Sequence, residues 1–330
     1  MTLTKPTFDV IRRLIPPLSP DFHKGQAGRV CVIGGSDDYT GAPYFSAISA
    51  LKLGADMAHV VCQPTAAIAI KNPDLTSEEI IDNVSSLFKR AHVLTIGPGL
   101  SRDKMMLECT KGIILKAKEE HIPMVIDADG LFLIQNNPDI IKDYSEAILT
   151  PNVNEFKRLC ETMRIEFEDD CKGELAQKLS QAFGGVTIVQ KGKNDLISNG
   201  NSIFLVDHKS GLKRCGGQGD ILTGLISTFV AWGVAYKKNI WQFKKFGIST
   251  DSPHLLCDLY FLHYLLILKH DCKRHDNSIS PTDIPMLASF AGCTINRECS
   301  WAAFSKLGRS VQTSDMIPEI GPSFQRLFER

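Results

Sequence analysis

The sequence predicts an α/β fold, a mostly parallel central sheet flanked by helices on both faces. Two observations predict it. Six short apolar or β-branched runs recur between Arg29 and Gln190, each ending in Gly, Pro, Asp, Asn or Lys-Gly. Helical patterns separate them, and strands alternating with helices mean crossover units and parallel neighbours. Such crossovers are right-handed. The Gly-rich and acidic loops all follow strands, so they gather outside the carboxyl ends of the sheet, where open α/β sheets bind ligands.

The elements follow in order. Arg29–Ile33 is the first strand, followed by Gly34-Gly-Ser-Asp-Asp-Tyr-Thr-Gly41 and a helix over Ala42–Gly54. Met57–Cys62 is the second, followed by Pro64 and a helical Thr65–Ile70. Ala91–Ile96 runs into Gly97-Pro98-Gly99, and Pro123–Ile126 into Asp127-Ala128-Asp129-Gly130. Ala147–Leu149 leads to Thr150-Pro151-Asn152, and Val186–Gln190 to Lys191-Gly192. Asn199-Gly200 then marks the turn of a hairpin between Leu196–Ser198 and Ser202–Val206. From Gly219 the chain reads helical. Residues 237–283 fit the βα pattern poorly and read as a helix-containing insertion. From Pro285 to Arg330 helices return, and the whole chain of 330 residues reads as a single domain.

Lys plus Arg and Asp plus Glu each number 37, which argues against a nucleic-acid binder. The ten cysteines show no Cys-x-x-Cys pair or zinc spacing and suit a reducing compartment. Met1–Leu18 lacks the apolar core of a signal peptide. Arg12 and Arg13 are offset by Asp9, a poor mitochondrial presequence. Leu255–Leu268, interrupted by Asp258 and His263, is too short and polar to span a bilayer. The expectation is a cytoplasmic protein with no membrane partner, and oligomerisation is left open.

The most informative stretch is Lys213-Arg-Cys-Gly-Gly-Gln-Gly-Asp220 before an apolar helix. Gly216, Gly217 and Gly219 let backbone N–H groups approach a ligand, and a helix N-terminus adds more of them. That suits a phosphate. Asp220 beside it is either the helix N-cap or a base with a proton to take. Asn152-Val-Asn-Glu155 reads two ways at once, as a capping box or as a hard-oxygen site for Mg2+. Gly34-Gly35-Ser36 fits neither dinucleotide nor Walker spacing; it is a tight turn with backbone donors. Asp127 and Asp129 each read as binding a metal through water or as bonded to loop N–H groups; the second reading is favoured for Asp127, while Asp129 stays undecided. Lys191-Gly-Lys-Asn-Asp195 offers positive charge and close backbone approach, or a solvated turn. Gly308-Arg-Ser310, with Thr313 to Asp315 after it, is a further candidate, or a helix end and the next cap.

Asn152-x-x-Glu155 with Gly216-Gly-Gln-Gly-Asp220 resembles the ribokinase-like superfamily. The ordered set is closer still: Gly34-Gly-Ser-x-x-Tyr-Thr-Gly-Ala-Pro43, Gly97-Pro-Gly99, Asp127-Ala-Asp129, Leu149-Thr-Pro-Asn-x-x-Glu-Phe156, Gln190-Lys-Gly192, Arg214-Cys-Gly-Gly-Gln-Gly-Asp220 and Gly308-Arg-Ser310 with Thr313-Ser-Asp-Met316. It is similar to the eukaryotic ATP-dependent NAD(P)H-hydrate dehydratases, over roughly Phe22–Val234 and Leu287–Arg330. That resemblance implies ATP as co-substrate, Mg2+ held by Asn152 and Glu155, and the hydrates NADHX and NADPHX as substrates. It implies Asp220 as the catalytic base. It places the hydrate at Gly99, at Asn152, Val153, Asn154, Glu155, Phe156, Lys157 and Arg158, and at Asp220. It places ATP at Lys191, Gly192, Lys193, Asn194 and Asp195, and along Gly211, Leu212, Lys213, Arg214, Cys215, Gly216, Gly217, Gln218 and Gly219. Gln218 stands where bacterial, ADP-using relatives usually carry Thr, which favours ATP. The alternatives are a hydroxymethylpyrimidine- or thiazole-type kinase of the same superfamily and a catalytically silent nucleotide sensor.

Overall fold

In a computed structural model, residues 3–63, 76–167, 173–240 and 279–329 are described. All eight named strands join one sheet. They are β1 Arg29–Ile33, β2 Met57–Val61, β3 Val93–Ile96, β4 Met124–Ile126, β5 Ala147–Leu149, β6 Thr187–Gln190, β7 Asp195–Ser198 and β8 Ile203–Val206. Their order is β2-β1-β3-β4-β5-β6-β7-β8. Neighbours among β1 to β6 are parallel, and the hairpin β7–β8 closes one edge antiparallel. The six expected strands and the hairpin are all present. Their ends move by one or two residues; Ala91 and His92, for example, precede β3 rather than open it.

Side chains alternate across the sheet, because successive Cβ atoms in a strand point to opposite faces. Val30, Val32, Val93, Val125 and Ile148 enter one core. It is covered by α1 (Phe8–Arg12), α2 (Gly41–Leu53), α8 (Gln218–Lys237), α9 (Ile284–Leu307) and α10 (Ile320–Phe328). Cys31, Ile33, Leu94, Ile96, Met124 and Ile126 enter the other. That face carries α3 (Ser77–Ser85), α4 (Lys104–Glu119), α5 (Asp129–Asn136), α6 (Val153–Thr162) and α7 (Glu174–Ala182). Burial on both faces is why the strands read as continuous apolar runs.

The helix α8 is apolar all round and packs between α2 and α9 against the sheet. Its length and composition would let it cross a bilayer, yet most of it is buried inside this fold. It is a core helix whose N-terminal end, at Gln218–Asp220, emerges at the carboxyl edge of the sheet. The expected helix at Thr65–Ile70 lies outside the described residues. Of the expected insertion at 237–283, α8 ends at Lys237, Pro281–Asp283 forms a 3-10 turn, and 241–278 lie outside the described residues.

Candidate functional site

The loops after β1, β3, β4, β5 and β6 meet beside the N-terminus of α8. Gly217 is its N-cap, in the left-handed region at φ +92°. A Cβ there would also come within 2.9 Å of Thr313 Cγ2 and 3.0 Å of the Phe45 ring, so glycine is required twice over. The first helical bond runs from Ile221 N–H to Gly217 O at 3.1 Å. The N–H groups of Gln218, Gly219 and Asp220 are therefore left unpaired within the helix.

This corrects one expectation. Asp220 is the third helical residue, not the cap, and its carboxylate bonds to no orphan N–H. Its backbone carbonyl is held instead, by the hydroxyls of Ser46 at 2.9 Å and Thr223 at 2.7 Å. The carboxyl group is left to face Asp127 and Lys191. Burial, and after it the charge of Asp127, raise its pKa to about 7 against the opposing pull of Lys191.

Asp127 also departs from expectation. It is buried, and Lys191 Nζ donates to its Oδ1 at 2.8 Å. Both lie against the first turn of α8: a Cβ on Gly219 would sit 3.2 Å from Asp127 Oδ2 and 3.5 Å from Lys191 Nζ. Burial alone would lower the Lys191 pKa, but Asp127, Glu155 and Asp220 together hold it above its ordinary value. Three carboxylates thus share one ammonium, and Lys191 stays charged.

Asn152 and Glu155 form a complete capping box at the start of α6. Asn152 Oδ1 accepts from the N–H groups of Asn154 and Glu155, each at 3.0 Å. Glu155 Oε2 accepts from Asn152 N–H at 2.7 Å. With both lone pairs of its oxygen engaged, Asn152 has none left for a metal, so it orients Glu155 rather than ligating beside it. Glu155 keeps one oxygen free. Burial and then Asp127 raise its pKa, while Lys191, the Asn152 N–H and Arg158 oppose that. Among the described residues no group of three His, Cys, Asp or Glu side chains converges on a metal position. One carboxylate oxygen on a helix end suits an ion that keeps most of its waters.

Within the segment 152–158, Val153, Asn154, Lys157 and Arg158 are exposed, but Phe156 is wholly buried in the core. Its side chain cannot touch a ligand. Gly99 takes φ +64° and lies under Tyr39. The donors expected from Gly34 and Gly35 are already spent, on Val61 O and Gly99 O. Ser36 remains buried, its hydroxyl without a partner.

The two segments expected at the nucleotide behave differently. Lys193 and Asn194 are exposed and Leu212 is 82% exposed. Asp195 is not available: its Oδ1 accepts from Gly192 N–H at 3.0 Å and its Oδ2 from Arg297 Nε at 2.7 Å. Arg297, buried in α9, also donates to Gly192 O at 3.0 Å and His208 O at 3.2 Å. It braces the whole Lys191–Asp195 turn. Nothing in Asn296-Arg-Glu298 announces this, because the residue is distant in sequence and its role appears only once α9 lies behind β7.

Lys213 Nζ and Cys215 Sγ both donate to Val311 O, and Thr313 Oγ1 to Gly216 O. These contacts shape a cleft of about 360 Å³ between Lys213–Gly216 and Val311–Ser314, floored by Phe45. Gly308 ends α9, as one of its two readings had it; Thr313 and Ser314 line this cleft, and Asp315 caps the turn that follows by accepting from Gln312 N–H. Gln218 reaches back to Lys213 O at 3.4 Å. The arrangement offers a cleft beside unpaired helix N–H groups, a lysine, and a carboxylate poised near neutrality. It can hold a phosphate chain and take a proton.

Known proteins are consistent with this geometry. A family model described as NAD(P)H-hydrate dehydratase matches residues 30–248. An ATP-dependent (S)-NAD(P)H-hydrate dehydratase of Emericella nidulans is 41% identical over 360 residues, covering 98% of this chain and 94% of its own. The protein of the same name from Homo sapiens is 40% identical, covering 98% and 85%. Among solved structures, a ribokinase-like superfamily protein from Enterococcus faecalis superposes with a TM-score of 0.70 at 19% identity, over 99% of this chain and 97% of that one. An ADP/ATP-dependent NAD(P)H-hydrate dehydratase from Bacillus subtilis, co-crystallized with ATP/Mg2+, gives 0.61 at 16% identity, over 99% of both. At those identities the structures speak for the fold, which is ribokinase-like.

Proposed function

The chain belongs to the NAD(P)H-hydrate dehydratase family, and on that premise we propose that its site removes water from the S form of NADHX and NADPHX at the expense of ATP. The observation that carries the mechanism is Asp220, a carboxyl with its pKa near 7 at the end of a helix that presents unpaired N–H groups.

A hydroxyl is a poor leaving group, so it is first phosphorylated. Asp220 takes the hydroxyl proton as that oxygen attacks the γ-phosphorus of ATP; the bond to ADP breaks and ADP leaves. A base with its pKa near the working pH is ionised often enough to act and basic enough to accept the proton. The N–H groups of Gln218 and Gly219, with the dipole of α8 behind them, stabilise charge on the phosphoryl group in flight. The ring nitrogen's lone pair then expels phosphate, and loss of a ring proton restores the dihydronicotinamide. The electronics of that step belong to the substrate.

Lys191, held charged by its carboxylate neighbours, lies where it can counter the phosphates without losing Asp127. The Lys213–Gly219 segment and the cleft against Val311–Ser314 take the nucleotide. Glu155 would hold Mg2+ through water with its unspent oxygen, and the ion would neutralise triphosphate charge. Asn152 keeps that carboxylate in place.

The test is incubation of the purified chain with ATP, Mg2+ and enzymatically prepared NADHX. Recovery of the near-ultraviolet absorbance of NADH with release of phosphate supports the reading. A phosphorylated product without recovered absorbance would make the chain a kinase instead.

A further inference from the structure

A second cavity, of about 120 Å³, opens between α5 and α6 on the Glu155 side of the site. It is lined by Arg102, Asp129, Phe132, Gln135, Glu155 and Arg158, among others. Glu155 joins it to the reaction centre. Arg158 ends the segment expected at the hydrate, while Arg102, Asp129, Phe132 and Gln135 have no role in the chemistry above.

Two guanidinium groups flank this cavity, and they are prepared differently. Arg102 is pre-set. Its Cζ lies 4.3 Å from the centroid of the Phe132 ring, and its Nε donates to Asp129 Oδ1 at 3.2 Å. Asp129 is fixed in turn by the Ser101 N–H, which donates to Oδ2 at 3.1 Å. Stacking and a single bond at Nε hold the plane of the guanidinium and leave both terminal nitrogens open. Arg158 lies one turn after Glu155 on α6, on the same face, and makes no hydrogen bond or ion pair among the described residues. The backbone around the cavity is held in sparsely populated conformations. Ser101 has φ +71°, and Ala128 has φ +49° with ψ −122°. Such strain at a non-glycine residue persists where the surrounding structure enforces it.

Two arginine forks facing one small cavity match the oxygens of a phosphate group. The cavity is too small for a dinucleotide and adequate for one of its phosphates. We propose that Arg102, stacked on Phe132 and oriented by Asp129, binds together with Arg158 a phosphate of the dinucleotide substrate, so that the hydrate is anchored on the side of Glu155 away from ATP. Asp129 is a positioning residue here and Arg102 a binding one. The inference rests on the proposed function, because it takes its ligand from it.

Steady-state kinetics of the full chain with ATP and Mg2+ test it, using NADHX and NADPHX separately. Arg102→Ala and Arg158→Ala are each expected to raise KM for the hydrate by roughly tenfold or more, the scale of a lost charge-assisted bond, with the loss falling on KM rather than kcat and KM for ATP unmoved. Arg102→Lys, which keeps the charge but loses the fork, is expected to recover only part. An equal rise for both hydrates assigns the diphosphate; a rise for NADPHX alone assigns the extra ribose phosphate. An unchanged hydrate KM in an active Arg102→Ala enzyme overturns this inference alone, as does a loss that falls on ATP instead. A wild-type enzyme that leaves both hydrates untouched overturns the proposed function, and this inference with it.

Discussion

Lys191 Nζ lies 2.8 Å from Asp127 Oδ1, and this ion pair rests against the helical turn that carries Asp220. The pair sets the electrostatics of the site in both directions. Asp127 pushes the Asp220 carboxyl up, Lys191 pulls it down, and burial decides the sum.

Asp220→Asn is expected to abolish turnover while ATP still binds, as read by titration calorimetry. In the wild type the rate should climb as pH rises through about 7, because only the ionised carboxylate accepts the proton. Stability runs the other way. Between the ordinary carboxyl value of 3.8 and about 7 the folded chain binds a proton that the unfolded chain lacks, so stability falls as pH rises through that window. The neutral isostere removes that penalty. Its melting temperature at pH above 7 should exceed the wild type's by a few degrees, about 1 kcal/mol. Activity near the wild-type rate in Asp220→Asn would take the base role away.

Asp127→Asn removes the nearest negative charge from Asp220. The acid limb of the pH–rate profile should move to lower pH, because one of the two causes that raise the Asp220 pKa is gone. Lys191→Met should move it to higher pH and cost about 3–5 kcal/mol of stability, since it leaves Asp127 buried without its partner. Profiles that shift together, or not at all, would show that the pair does not tune Asp220.

Glu155→Gln should raise the Mg2+ concentration needed for half-maximal activity several-fold. Asn152→Ala should cost about 1 kcal/mol in thermal unfolding, the usual worth of an N-cap, with a smaller effect on Mg2+ dependence. The geometry makes Asn152 the holder of Glu155 and not its co-ligand. An Mg2+ requirement hit harder by Asn152→Ala than by Glu155→Gln would reverse those roles.

Arg297→Lys keeps a charge behind the Lys191–Asp195 turn but loses two of its three anchor points. KM for ATP is expected to rise about fivefold to tenfold, roughly 1–1.4 kcal/mol, with kcat less affected. Arg297→Met should destabilise by about 3–5 kcal/mol by stranding Asp195, and adding Asp195→Asn should recover part of that. An unchanged KM for ATP in Arg297→Lys would make the brace a matter of folding alone.

The architecture was legible because its signals are local. β-branched runs, Asn199-Gly200, and glycines at strand ends each report on a few neighbouring residues, and burial on both faces of a parallel sheet leaves an unbroken apolar run in the chain. The capping box at Asn152 was legible for the same reason, since its partners are three residues apart. The sequence alone thus determined the strands, the glycine-rich turn before α8 and the presence of Asp220.

What it could not decide is which carboxylates meet. Asp127 and Lys191 are 64 residues apart, and Asp195 and Arg297 are 102. Asp127 read as a loop fastener and Asp195 as a ligand residue; in the folded chain Asp127 pairs with Lys191, and Asp195 is the one that fastens a turn. Phe156 likewise read as a contact, and the helix turns its side chain into the core; of the two readings of Asn152, the cap takes its oxygen. Protonation follows from the same source. The Asp220 pKa depends on burial and on charges brought close by other strands, and burial is a property of the packed sheet, not of Gly-Gln-Gly-Asp.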